Sequence, residues 1–295
     1  MRKYMAVIIV SSIEDSASTN IKKRLLEQST WDTVDSFDDI SVYRHSTMQD
    51  IVIVTINNRK ITRENLDLEI ENKLGIKPKQ VIFISRHTSK MKKPTLTVHP
   101  IGNYGEARFG GIPKTLVTPA PRLMTHLLRL IKKNLQSTNL GYQVCYEVTH
   151  HGPFLETPTL FVEIGSTEKE WRKKEPAKII AQSILQLLEK YRYEEDCPDD
   201  ITVLLGIGGG HYAPRFTDVV FEKKAAFGHM IPSYQIDAGC IDSKMLEKTM
   251  NATPKLKAAY FHKKALKKSQ VTEYKKWFQN KGFPVISSKE LSSLD

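Results

Sequence analysis

The feature that most constrains the fold is a set of short runs in which nearly every residue is apolar, several of them separated by stretches with helical spacing. Met5–Val10, Asp50–Ile56 and Gln80–Ser85 are strand-sized, and each lacks the alternation that would leave one face wet. Such strands need cover on both faces, which intervening helices supply. Ser18, Thr19 and Asn20 can cap a helix running to Glu27, with Ile21, Leu25 and Leu26 on one face. Arg63–Leu74 reads as an acidic helix. Arg122–Leu135 reads as a helix with Leu123, Leu127, Leu130 and Ile131 on one face, and Thr167–Tyr191 as a long one with Pro176 near its start. Gln143–Val148, Leu160–Ile164 and Ile201–Leu205 are further strands, so the expected class is α/β with a doubly wound sheet.

No apolar run approaches the roughly 18 residues that cross a bilayer. The segment Met1-Arg2-Lys3-Tyr4 leads into a run too short for a secretory signal core of roughly 7–15 residues, so it reads as the approach to a first strand. Cys145, Cys197 and Cys240 are far apart and odd in number, which suits reduced thiols in the cytoplasm and disfavours a thiolate zinc site. Any metal would fall to His and carboxylates. Lys and Arg total 44 against 33 Asp and Glu, a formal charge of +11 that favours encounter with a polyanion such as nucleic acid.

Lys90–Pro121 is rich in Gly, Pro and Thr, with Thr95–His99 as a short strand and Asn103–Gly111 irregular. Loops this long are usually functional. The expected organisation is therefore one compact catalytic domain over 1–295, with 87–120 as a functional loop region and 255–295 as a basic C-terminal region. In the last of these, lysines interleave with Tyr260, Phe261, Tyr274, Trp277 and Phe278, an arrangement that could let rings stack on unpaired bases. Arg86, Lys263, Lys264, Lys267 and Lys268 are the expected contacts to a polyanion.

Seven of nine histidines lie between His87 and His229, most of them where an expected strand gives way to a loop. In a doubly wound sheet, ligands gather outside the carboxyl ends of the strands. His150 and His151 could both face one site only if the strand had already ended, and Gly152-Pro153 permits that. Glu163 lies inside an apolar strand, where it needs a cation, a metal or a hydrogen-bonding histidine. Gly206-Ile207-Gly208-Gly209-Gly210-His211 could aim the amides of Gly208, Gly209 and Gly210 at an anion or developing oxyanion. It is followed by Tyr212 as a stacking ring and Arg215 as a phosphate-capable cation. His99, Glu156, His229 and Asp237 are candidates on similar grounds. His126 reads as a packing or surface residue, and nothing around His45 or His262 marks a site.

Six blocks then carry a resemblance: Asp15-Ser16-Ala17-Ser18 with Asn20-Ile21, Ser85-Arg86-His87, Thr97-Val98-His99-Pro100 with Gly102-Asn103, Thr149-His150-His151-Gly152-Pro153, Glu163-Ile164-Gly165-Ser166, and Gly206–His211 with Tyr212-Ala213-Pro214. In this order they resemble the archaeal and plant type of D-aminoacyl-tRNA deacylase, while the chain beyond Asp242 matches only in its basic character. The resemblance implies a three-layer α/β/α, phosphorylase/hydrolase-like fold with a mixed, mostly parallel sheet. It also implies hydrolysis of D-amino acids from mischarged tRNA and a requirement for Zn2+. On that basis His87, His151, Glu163 and His211 are expected around the attacking water and the metal, with His150 behind them or donating a proton to the departing ribose oxygen. The expected partner is tRNA charged with D-amino acids. No membrane and no obligate protein partner are expected, and the chain is expected to be a monomer. The rival readings are a peptidyl-tRNA hydrolase or nucleoside phosphorylase on a similar scaffold, and a non-catalytic tRNA-binding protein.

Overall fold

The computed structural model describes residues 4–294. Met1–Lys3 of the N-terminal segment and Asp295 at the end of the basic region lie outside the described residues. In chain order the elements begin with β1 (Tyr4–Ser12), α1 (Ser16–Gln28), β2 (Trp31–Phe37), β3 (Ile40–His45), β4 (Ile51–Ile56), α2 (Leu66–Leu74), β5 (Ile76–Thr88) and β6 (Thr95–His99). Next come α3 (Pro121–Gln136), β7 (Gln143–Tyr146), β8 (Thr159–Ser166), α4 (Glu168–Trp171), α5 (Lys174–Lys190) and β9 (Thr202–Ile207). They end with α6 (Pro214–Glu222), β10 (Ala225–Ile231), α7 (Ser233–Asp237), α8 (Ser243–Ala252), β11 (Leu256–Phe261), α9 (Lys268–Asn280) and β12 (Val285–Ile286).

The strands form an eight-stranded sheet, β2-β3-β4-β1-β5-β8-β6-β7, and a four-stranded sheet, β10-β9-β11-β12. In the larger sheet β4, β1, β5 and β8 are parallel, β3 and β6 oppose their central neighbours, and β7 runs with β6. The smaller sheet is wholly parallel. Alternation along β1 sends Val7 and Ile9 into one core with Ile21 and Leu25 of α1, Leu127 of α3 and Ile180 of α5. Ile8 and Val10 face the other way, toward Leu66 and Ile70 of α2. Helices thus cover both faces in a three-layer α/β/α arrangement. The first core continues into the smaller sheet through Leu204, Phe227 and Tyr260, with Phe216 of α6 between. Among the described residues no helix is long and apolar enough to cross a membrane.

Several boundaries differ from the sequence expectation for local reasons. Helix α1 starts earlier because Asp15, not the Ser18–Asn20 group, caps it, accepting from the Ser18 amide at 3.0 Å. The β2–β3 hairpin turns through Asp38 and Asp39, both at positive φ (51° and 61°). It was invisible as an apolar run because most of β2 is exposed. The expected helix over Thr167–Tyr191 breaks into α4 and α5. In the basic C-terminal region Tyr260, Phe261, Tyr274 and Phe278 are buried beneath α8 and α9 or against α6. That corrects the stacking expectation for these four rings, since a ring inside the core cannot meet a base; Trp277 is half-buried.

Candidate active site

Period-two alternation builds the floor. Phe83 on β5 and Phe161 on β8 share a sheet face and stack at 4.5 Å between ring centroids. Two residues on, the same face turns polar: Ser85 stands opposite Glu163, and Glu163 opposite Thr97 on β6. His87 and His99 complete the row. His99 stacks on Phe161 at 5.2 Å, while His87 closes on Glu163, Nδ1 to Oε2 at 3.5 Å.

The second wall comes from the segment after β7. His151 has φ of 45°, so the backbone has left the strand and both adjacent rings turn inward. His150 lies 4.4 Å from both His99 and His151, and 4.6 Å from His211. The His211 carbonyl accepts from the Val148 amide at 2.9 Å, fixing the glycine-rich loop beside this wall.

At the centre is Glu147, fully buried, with Oε2 lying 2.9 Å from His211 Nε2, 3.2 Å from His87 Nδ1 and 3.5 Å from His150 Nε2. Burial opposes ionisation of Glu147 and Glu163, but the histidines crowded against them outweigh it and hold both carboxyls below their ordinary range. Burial also works against a charged His87. The two carboxylates overcome it and push His87 up to about 11, and Glu163 raises His99 likewise. Burial and charged neighbours push His150 down, and His151 down to about 4. The ring nitrogens are further sorted by backbone carbonyls, which only accept. Nδ1 of His99, His150 and His151 donates to Pro100, Val148 and Gly152 at 3.1, 2.8 and 2.6 Å. Each therefore presents Nε2 to the cluster.

Three overlapping groups have ligand atoms within 4.8 Å of one another: His99 with His150 and His151, His87 with Glu147 and His211, and His99 with Glu147 and Glu163. Two buried carboxylates demand positive charge, and imidazole nitrogens whose opposite N–H is held by a carbonyl are the usual preparation for metal ligation. The donor set fits zinc.

Above the cluster the surface opens into two lobes. The first, about 370 Å³, is lined by Asp15, Lys60, Ser85, Arg86, His87 and Glu163 among others. The second, about 830 Å³, is lined by Asn103, Tyr104, Tyr234, Gln235 and Cys240 among others. Phe109, His150, His151 and His211 border both. The loop carrying Phe109 lies on the turn Lys60–Thr62. A Cβ on Gly110 would sit 1.5 Å from the Ile61 carbonyl oxygen, so only glycine allows that approach. Glu64 ties the loop down, accepting from the Gly111 amide at 2.6 Å and from the Phe154 amide.

His87, His151, Glu163 and His211 all line the first lobe, yet they divide among the three groups rather than forming one ligand set. Tyr212 turns its hydroxyl to His87 Nε2 at 3.1 Å. The expectation for the glycine amides is corrected. Gly208 N donates to the Ile231 carbonyl and Gly209 N to Ser233 Oγ, both at 2.8 Å, and no glycine of 208–210 lines either lobe. Arg215 is half-buried, its guanidinium donating to Tyr260 Oη at 2.7 Å and Ser288 Oγ at 3.0 Å beside Lys263 and Lys264. Lys263, Lys264, Lys267 and Lys268 are exposed, and Arg86 is half-buried at the mouth. Glu156 and Asp237 are exposed away from the cluster, and His229 is buried against Thr149. Sequence reasoning missed Glu147, although it carries the signal that marked Glu163: an acid within an apolar run.

A family model for D-aminoacyl-tRNA deacylase matches residues 74–286. The chain is 43% identical to a D-aminoacyl-tRNA deacylase of Pyrococcus horikoshii over 232 residues, 78% of this chain and 81% of that one. It is 34% identical to the Methanosarcina barkeri protein of the same name over 290 residues, 97% of this chain and 90% of that one. A crystal structure of a conserved protein of unknown function superposes with a TM-score of 0.86 at 27% identity, covering 98% of this chain and 99% of the other.

Proposed function

The chain belongs to the D-aminoacyl-tRNA deacylase family and is an enzyme of that class, and from that premise we propose that it hydrolyses D-aminoacyl-tRNA at the junction of the two lobes, with zinc bound there. The observation that carries this is the histidine–carboxylate cluster open to both lobes through His150, His151 and His211. An ester substrate needs such a junction: the ribose and the aminoacyl group must lie on either side of the reacting carbonyl.

His99, His150 and His151 would hold the metal, each through Nε2. This shifts the expected set of His87, His151, Glu163 and His211 toward the imidazoles whose Nδ1–H is already held. Bound zinc would supply a nucleophilic water at neutral pH by lowering its pKa from 15.7 to about 7. His211, held by Glu147 at 2.9 Å, accepts the proton from the attacking water and returns it to the ribose oxygen as that bond breaks. His87 lies between Glu147 and Glu163 and keeps the two carboxylates apart in charge. The exposed Lys263, Lys264, Lys267 and Lys268, with Arg86 at the mouth, would meet the tRNA backbone. In the same proposal the enzyme works in the cytoplasm as a monomer, on tRNA charged with D-amino acids, with no obligate protein partner.

The test is to incubate the protein with matched D- and L-tyrosyl-tRNA, with and without a chelator, and measure what remains charged. Loss of the D-form alone, stopped by the chelator and restored by zinc, is expected. Equal loss of both forms would end the chiral assignment, and turnover indifferent to the chelator would remove the metal.

A further inference from the structure

A buried lysine in the first lobe has no part in the chemistry above. Lys60 sits in the turn Lys60–Thr62 with 3% of its side chain exposed, and its Nζ lies 2.6 Å from Asp15 Oδ2. Among the described residues Asp15 is its only hydrogen-bond partner, although an ammonium carries three donors. Asp15 is itself held on every side. It accepts from the Ser18 amide at 3.0 Å, the Arg86 amide at 3.0 Å and Ser85 Oγ at 3.3 Å. Ser85 stands directly opposite Glu163 in the β5–β8 register, on the sheet face that carries the cluster. Adjacent strands are about 4.8 Å apart, so this chain of contacts sets the lysine close to the reacting groups. Lys60, Ser85, His87, His151 and Glu163 line the same 370 Å³ lobe.

The reaction requires a donor at that place. As water adds to the ester carbon, the carbonyl pair moves to oxygen; when the ribose oxygen leaves with its bonding pair, the charge returns. The amides of Gly208 and Gly209 are already bonded elsewhere. Arg59 has 69% of its side chain exposed, so water screens it, whereas a buried, fixed donor acts in low dielectric without reorganising. We propose that Lys60, oriented by Asp15, donates a hydrogen bond to the developing oxyanion and is a catalytic residue for ester hydrolysis. No proton is transferred from it. This rests on the deacylase assignment, and it gives a role to Asp15 in the block Asp15–Ser18.

The experiment compares full-length wild type, Lys60→Met and the charge-neutral pair Asp15→Asn/Lys60→Met for kcat and KM on D-tyrosyl-tRNA, with thermal unfolding of each. Wild-type turnover tests the deacylase assignment; the variant-to-wild-type ratio of kcat tests Lys60 alone. Removing one oxyanion donor lowers kcat by about 10²–10³-fold. That loss is expected in both variants, with KM within about threefold of wild type. The paired variant leaves no carboxylate unpaired, so it keeps the test readable where the single substitution unfolds. Recovery of kcat in the pair would make Lys60 a mere counter-ion to Asp15, and an effect confined to KM would make it a phosphate anchor. Either result, or an unchanged kcat in Lys60→Met, overturns the assignment.

Discussion

At the end of the larger sheet His87, His99, His150, His151, Glu147 and Glu163 pack against one another, whereas on the smaller sheet Lys268 and Lys276 of α9 stand in solvent and Tyr274 and Phe278 point into the core. Both regions mix charge with rings. In the second, amphipathicity explains the pattern: a helix on a sheet buries one face and wets the other. In the first, no packing rule explains two buried carboxylates ringed by imidazoles, because apolar residues would fill that space at lower cost. Polar groups that stay where burial opposes them mark chemistry. Rings that follow a helical stripe mark a core.

The largest test of that contrast is Glu147→Gln. It keeps the shape and removes the charge that holds His211 and His87, and D-tyrosyl-tRNA deacylation should fall by roughly 10²–10⁴-fold, with circular dichroism unchanged. A loss under threefold would place the cluster with the inert cores. Phe278→Ala comes next. The ring is fully buried, so urea unfolding should show about 3–5 kcal/mol of lost stability. Weakened tRNA binding with stability intact would instead restore the stacking role. Replacing Lys263, Lys264, Lys267 and Lys268 together with Ala should raise KM for charged tRNA about tenfold at low salt and flatten its salt dependence, leaving kcat unchanged. A KM and salt slope equal to wild type would take these lysines out of the interface.

The smallest effect separates burial from pairing. His126 lies on α3 against Tyr191 with no carboxylate bonded to it. Burial, with help from Arg129 and Lys190, pushes it down to about 4, the opposite of His87. The unfolded chain then takes up a proton near pH 6.5 that the folded one refuses until about pH 4, so stability is lost as pH falls through that window. His126→Gln should flatten this part of the stability–pH curve between about pH 6.5 and 4. An unaltered slope would mean that His126 titrates alike in both states.

Much of the larger sheet was legible because its strands are continuous apolar runs; Thr95–His99 matches β6 in full. The exposed hairpin strand β2 was not, since a strand at a wet edge needs no apolar run. Glu163 was legible as an acid inside such a run. Glu147, one residue past the end of β7, could equally have pointed to solvent; the neighbours contributed by β5 and the glycine-rich loop place it at the centre. The glycine loop misled in the other direction: its composition suits an anion, but Ile231 and Ser233 already take two of its amides.

Local composition by itself determined the α/β class, the separation of strands from helices, and the presence of histidines and an acid that packing could not justify. Those are properties of neighbours along the chain. Which imidazoles share a carboxylate, which ring nitrogen each one offers, and that Lys60 and Asp15 belong to the same lobe were decided only in three dimensions. They depend on strand register and on loops distant in sequence closing over one sheet face, and the spacing of residues along the backbone carries no record of that distance.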